Sequence, residues 1–83
     1  MVTVFKQDGL FFRLFPNDHL PSHVHVFKAG NEARIEISGA DGKPHALTNN
    51  GLSRKELSKA IALVQKNQAL LLQQWSKYHG KSK

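Results

Sequence analysis

The chain has 83 residues, 40% of them hydrophobic, which is enough for one domain and leaves no room for a second core. It has no cysteine, which excludes a disulfide framework and thiolate chemistry, and its apolar runs, such as Ala69–Leu72, are far too short to cross a bilayer. The net charge of +6 sits entirely on residues 52–83, where Arg54, Lys55, Lys59, Lys66, Lys77, Lys81 and Lys83 face Glu56 alone; that balance suits either an anionic partner or a solvated helix face.

The N-terminus, MVTVFKQDG, lacks the charged and apolar regions of a signal peptide, so a cytoplasmic protein is expected. Short strands are predicted at 2–6 and 10–15, joined by the hairpin signal Asp8-Gly9. Pro16, Asn17, Asp18 and Pro21 hold residues 16–22 in an irregular loop. Strands follow at 23–27 and 33–38, and a short fifth at 43–47 after the Asp41-Gly42 turn. A single helix is predicted over 53–79. Ser53 and Glu56 form a capping box at its start, and Leu52 and Leu57 occupy the staple positions. Leu57, Ala60, Ile61, Val64, Leu71, Leu72, Trp75 and Tyr78 form its apolar stripe, interrupted by Gln68. Gly80 is the expected stop, with a frayed tail at 81–83. The expected fold is α+β, a small antiparallel sheet of three to five strands packed on one long C-terminal helix.

Strand parity then assigns faces. Val24 and Val26 point one way, and His23, His25 and Phe27 the other. An even hairpin loop, read as Gly30-Asn31, sets Val26 beside Ile35, Val24 beside Ile37 and His25 beside Glu36. Arg13 is ill suited to a dry core, so Phe11, Arg13 and Phe15 share the histidine face with Phe27, Arg34 and Glu36. That mixture of aromatic and ionisable groups is too apolar to be only solvated.

Three uses of the histidines are open. Imidazoles at i and i+2 of a strand can ligate a metal, with His19 or Asp18 as a third ligand beside His23 and His25 and with Glu36 fixing a tautomer. The same rings can act as acid or base without a metal, with Arg13 holding an oxyanion. Or they can fill an interface, where aromatics interleaved with Arg and His suit a symmetric dimer or stacked bases. His45 and His79 are isolated and read as solvent-facing.

The segment GLFFRLFPNDHLPSHVHVFKAGNEARIEI followed by LSRKELSKAIALVQKNQALLLQQWSKYHG resembles the bacterial family catalogued as domain of unknown function 4160. The shared features are a Gly-started aromatic strand, an Asn-Asp-His loop, a Pro-x-His-Val-His-Val segment, a Gly-x-x-Ala strand and a helix ending in Leu-Leu-x-x-Trp; Ser22 stands where the family usually has a second proline. The resemblance marks Asn17, Asp18, His19, Pro21, His23 and His25, with Arg13 beside them, as signature positions, implies a compact α+β domain, and implies a partner in a two-gene cassette of toxin–antitoxin type.

The leading expectation is therefore an interaction domain. Its contacts would be Phe11, Phe15, Phe27 and Arg34 on the sheet face, with Lys55, Lys59, Lys66 and Lys77 as an anion-binding surface. Its occupant would be a protein partner, a second copy or nucleic acid, and not a membrane. The alternative is a small hydrolase or ribonuclease working through His19, His23, His25, Arg13 and Glu36. No cofactor is expected and no metal; were a metal bound, His23, His25 and His19 would hold it.

Overall fold

The computed structural model describes residues 2–79, so the stop expected at Gly80 and the tail at 81–83 lie outside the described residues. Five strands, β1 (Val2–Gln7), β2 (Leu10–Leu14), β3 (His23–Lys28), β4 (Asn31–Glu36) and β5 (His45–Asn50), form one antiparallel sheet in sequence order. Two helices follow, α1 (Arg54–Lys66) and α2 (Gln68–His79), and the fold is α+β. Neither helix is long and apolar enough to cross a membrane.

One sheet face carries the core. Leu10, Phe12, Leu14, Val24, Val26, Ala33 and Ile35 alternate with less buried residues along β2–β4 and pack against Ala60, Leu63 and Val64 of α1 and Leu71 and Trp75 of α2. Val4 is the extra residue of a bulge between Thr3 and Phe5, which sets Phe5 opposite Phe12. The two rings stack at 4.3 Å.

The β3–β4 hairpin is even, as parity requires, but its loop is Ala29-Gly30 rather than Gly30-Asn31. Both residues have positive φ, 50° and 84°, as the tight hairpin turn needs. The register slides by two residues from the expected one, so Val26 pairs with Ala33, Val24 with Ile35, His25 with Arg34 and His23 with Glu36. A left-handed alanine costs about 1–2 kcal/mol. Ala29→Asn, which creates an Asn-Gly turn, should recover part of that. The expected result is a melting temperature several degrees higher in a thermal unfolding scan; an unchanged or lower value would contradict the turn geometry.

Several element boundaries differ from expectation, β4 starting at Asn31 and β5 ending at Asn50 among them, and three of the differences have a direct physical reason. β4 ends at Glu36, and the Ile37 N–H leaves the ladder to donate to Ser22 O at 3.0 Å. β5 begins at His45, not at 43, because Pro44 has no N–H to give a ladder. The expected single helix is two. At Asn67 the backbone departs from helical values (φ −108°, ψ 23°), and both its N–H and its side-chain Nδ2 donate to Leu63 O, at 3.0 and 2.9 Å. The polar interruption in the apolar stripe also has a structural role. Gln68 Nε2 donates to Ile37 O at 2.9 Å and Gly42 O at 2.8 Å, tying the start of α2 to the β4–β5 connection.

The α1 start follows the capping-box pattern, with Glu56 N donating to Ser53 Oγ and Ser53 N to Glu56 Oε1. The Ser53 N–H, and after it Lys28, hold the Glu56 carboxyl below its ordinary value.

Candidate functional site

The site lies at the end of the sheet where β2 finishes and β3 begins. Residues 15–22 fold back there because Pro16 and Pro21 cannot continue a ladder. Asp18 N bonds Phe15 O at 3.0 Å, and Ser22 O receives the Ile37 N–H. The Leu20–Pro21 peptide is cis. Asp18 is turned inward by this loop, while His19 and Leu20 stay exposed.

His23 and His25 project from β3 on the face opposite Val24 and Val26, yet they are only 5% and 9% exposed. Rings cover them. Phe15 meets His25 edge-on at 4.4 Å, the two imidazoles lie 5.1 Å apart, and Trp75 of α2 lies 5.4 Å from His23. His79 stacks on Trp75 at 3.7 Å.

Three polar groups converge on the two rings. His23 Nδ1 lies 2.8 Å from Pro21 O, and its Nε2 lies 3.1 Å from Asp18 Oδ2 but outside hydrogen-bond alignment. His25 Nε2 lies 2.7 Å from the same Asp18 oxygen, and its Nδ1 lies 2.6 Å from Glu32 Oε2. Asp18, His23 and His25 each offer one ligand atom, and the three atoms lie within 4.8 Å of one another, a set able to hold a metal ion.

One side of this cluster borders a cleft. Asp18 and His23 form part of the wall of a cleft of about 400 Å³ completed by His19, Leu20, Pro21, Arg34 and Leu47. Leu47 is the extra residue of a bulge in β5, between the partners of Arg34 and Ile35, and this deviation accompanies its place on the cleft wall. Arg34 Nε donates to Thr48 Oγ1 at 3.3 Å, which orients the guanidinium. A second cleft of about 740 Å³ lies on the α2 side of the loop, bounded by Asp18, His19, Trp75, Tyr78 and His79 among others.

A family model described as "Domain of unknown function (DUF4160)" matches residues 9–76. The chain belongs to the DUF4160 family. No curated protein and no solved structure matches it. The DUF4160 match begins after β1 and runs through most of α2, so it includes the loop, all members of the Asp18–His23–His25–Glu32 cluster and Trp75.

The other candidate residues of this DUF4160 sequence are distributed unevenly. Arg13 is outside the cluster: its Nε donates to Thr3 Oγ1 at 3.2 Å, and its guanidinium lies 5.0 Å from both the Phe11 and Phe27 rings. Glu36 faces His23 in register but forms no ion pair among the described residues; Glu32, four positions earlier on the same strand face, supplies the carboxylate to His25. Lys55 and Lys59 sit at the opposite end of the sheet, where they border a cleft of about 360 Å³ with Asp8, Lys28 and Glu56. Two ion pairs there, Lys28–Glu56 at 3.2 Å and Lys59–Asp8 at 3.4 Å, use part of the cationic charge locally. Lys66 is exposed in the last turn of α1, and Lys77 lies over Tyr78. None of these lysines joins the histidine cluster.

Two residues of the site depart from expectation. His79 is not simply solvent-facing: Nδ1 and Nε2 lie 3.0 Å from Trp75 O and Phe15 O, pinning the end of α2 to the end of β2. Glu32 is a member of the site that motif and spacing do not mark. The signal for it is the hairpin register, since a two-residue slide puts Glu32 diagonal to His25.

Proposed function

We propose that this domain hydrolyses an anionic ester, with the Asp18–His23–His25 cluster activating water and Arg34 holding the negative charge of the substrate. One observation carries the reading: Asp18 and His23 of the cluster form part of the wall of the same cleft that Arg34 lines. Groups meant for surface recognition would be exposed, whereas both imidazoles are buried, and His23 lies against the wall of that cleft. A general base placed beside a water contributes about 10²–10⁴ in rate, and a guanidinium clamps phosphate or carboxylate oxygens with two parallel hydrogen bonds. Leu20, 80% exposed, and Leu47, 41% exposed, add apolar walls suited to an aromatic or nucleobase portion of the substrate.

The test is turnover of bis(4-nitrophenyl) phosphate and of single-stranded RNA, with and without added Zn²⁺, Mn²⁺ or Mg²⁺. His25→Gln is expected to lower kcat by about 10² or more with little change in KM, and Arg34→Gln to raise KM. Absence of turnover by the unaltered protein under every condition, or full activity in His25→Gln, would sink the reading.

A second reading is favoured by the Phe11–Arg13–Phe27 stack, which leaves a half-exposed aromatic and cationic surface on β2 and β3. On this reading the domain acts in the cytoplasm as one member of a toxin–antitoxin-like pair and meets its protein or nucleic-acid partner through that face, with the exposed lysines as an accessory surface. The two readings are compatible in one molecule. Phe11→Ser separates them, weakening association with the product of the adjacent gene while leaving hydrolysis in place.

A further inference from the structure

We propose that the domain binds one divalent transition-metal ion through Asp18 Oδ2, His23 Nε2 and His25 Nε2, with Pro21 O and Glu32 fixing the two rings from behind.

Acceptors outnumber donors at this point. Pro21 O is a carbonyl and can only accept, so His23 Nδ1, 2.8 Å away, carries the ring proton. In the neutral ring Nε2 is then a lone pair. That atom is buried, the residue is 95% shielded, and among the described residues it has no hydrogen-bond partner. A buried polar atom left in that state costs about 1–3 kcal/mol. His25 repeats the pattern. With its Nδ1 proton donated to Glu32 Oε2 at 2.6 Å, its Nε2 lone pair faces Asp18 Oδ2 at 2.7 Å. Two imidazole lone pairs and a carboxylate oxygen thus point at one small volume with no donor between them. Two added protons could answer this, one on each ring. A single divalent cation answers all three acceptors at once, and its charge balances the Asp18 and Glu32 carboxylates. The outer partners are those that orient histidine ligands, a carboxylate on one ring and a backbone carbonyl on the other.

The spacing is close to that of ligands on one ion. Ligand atoms about 2.0–2.1 Å from a shared ion, on tetrahedral or octahedral corners, stand roughly 2.9–3.4 Å apart. The Asp18 oxygen is 3.1 and 2.7 Å from the two nitrogens, the first inside that range and the second just below it. All three atoms lie within 4.8 Å of one another, so a bound ion would draw them to a common point by small shifts. Two nitrogens and one oxygen favour an ion of the zinc, cobalt or iron type over magnesium or calcium, which prefer oxygen throughout. Three protein ligands leave a coordination position open, as catalytic sites do. This goes beyond the hydrolytic reading and does not depend on it: a metal bound without turnover supports the inference and removes that reading, whereas turnover by metal-free protein that binds no metal does the reverse.

The test uses untagged protein stripped with a chelator, titrated with Co²⁺ followed by visible absorption and then with Zn²⁺ as competitor. One equivalent per chain is expected, with Zn²⁺ displacing the cobalt spectrum. Asp18→Asn and His23→Gln should each abolish stoichiometric binding. Glu32→Gln should retain one equivalent with affinity about 10–100-fold weaker. His45→Gln, outside the cluster, should bind as the unaltered protein does. Should His23→Gln fail to fold by circular dichroism, Asp18→Asn and Glu32→Gln carry the test, because both residues lie at the edge of the cluster and outside the hydrophobic core. No cobalt spectrum in the unaltered protein, or unchanged affinity in Asp18→Asn, overturns the proposal.

Discussion

Phe12→Ala should destabilise the domain by about 3–5 kcal/mol, the largest single loss expected in the molecule. Phe12 is fully buried, stacks on Phe5, and pairs across the sheet with Val26, so its ring joins β1, β2 and β3. Truncation removes the transfer energy of the ring and leaves a cavity walled by strand residues held in ladders, which cannot collapse to fill it. A domain of 83 residues has in total about 4–12 kcal/mol, at roughly 0.05–0.15 kcal/mol per residue. The variant should therefore be partly or wholly unfolded near 37 °C. Urea unfolding followed by Trp75 fluorescence measures it. A loss under about 1 kcal/mol would mean that the Phe5–Phe12 contact is not part of a closed core.

The second large effect is on function. On the hydrolytic reading proposed above, Asp18→Ala should reduce turnover by about 10²–10⁴ while changing stability little. One oxygen, Asp18 Oδ2, faces both imidazoles, so its loss removes the element that brings the two rings to a common point. The residue sits on a loop outside the hydrophobic core. That combination distinguishes a working carboxylate from a structural one: steady-state kinetics should collapse, and the urea midpoint should stay near its original value. A parallel fall in both would assign Asp18 to holding the loop in place.

Much of this architecture is legible in the chain, and the parts that are not have identifiable causes. Alternation along LFFRL and HVHVF separates the core set from the histidine set, because side chains on strands alternate with a period of two. Parity, however, is unchanged by a slide of two residues. Gly30-Asn31 and Ala29-Gly30 both satisfy it, and the chain uses the second, with an alanine in the left-handed region that composition alone disfavours. That slide exchanges Glu36 for Glu32 as the carboxylate on His25. Residue chemistry narrows the third member of the cluster to Asp18 or His19. Which of two adjacent loop residues turns inward depends on the path of residues 15–22, which no periodicity encodes. The helical stripe places Trp75 in the core, where it lies, but does not show that its ring also covers His23.

In the proposed site, Asp18 and the two β3 imidazoles share a single metal-binding point. X-ray absorption on the cobalt- or zinc-loaded protein tests this most directly. The predicted spectrum has a first shell at about 2.0–2.1 Å with the outer-shell scattering of two imidazole rings. A first shell of oxygen alone, without imidazole scattering, would contradict the claim.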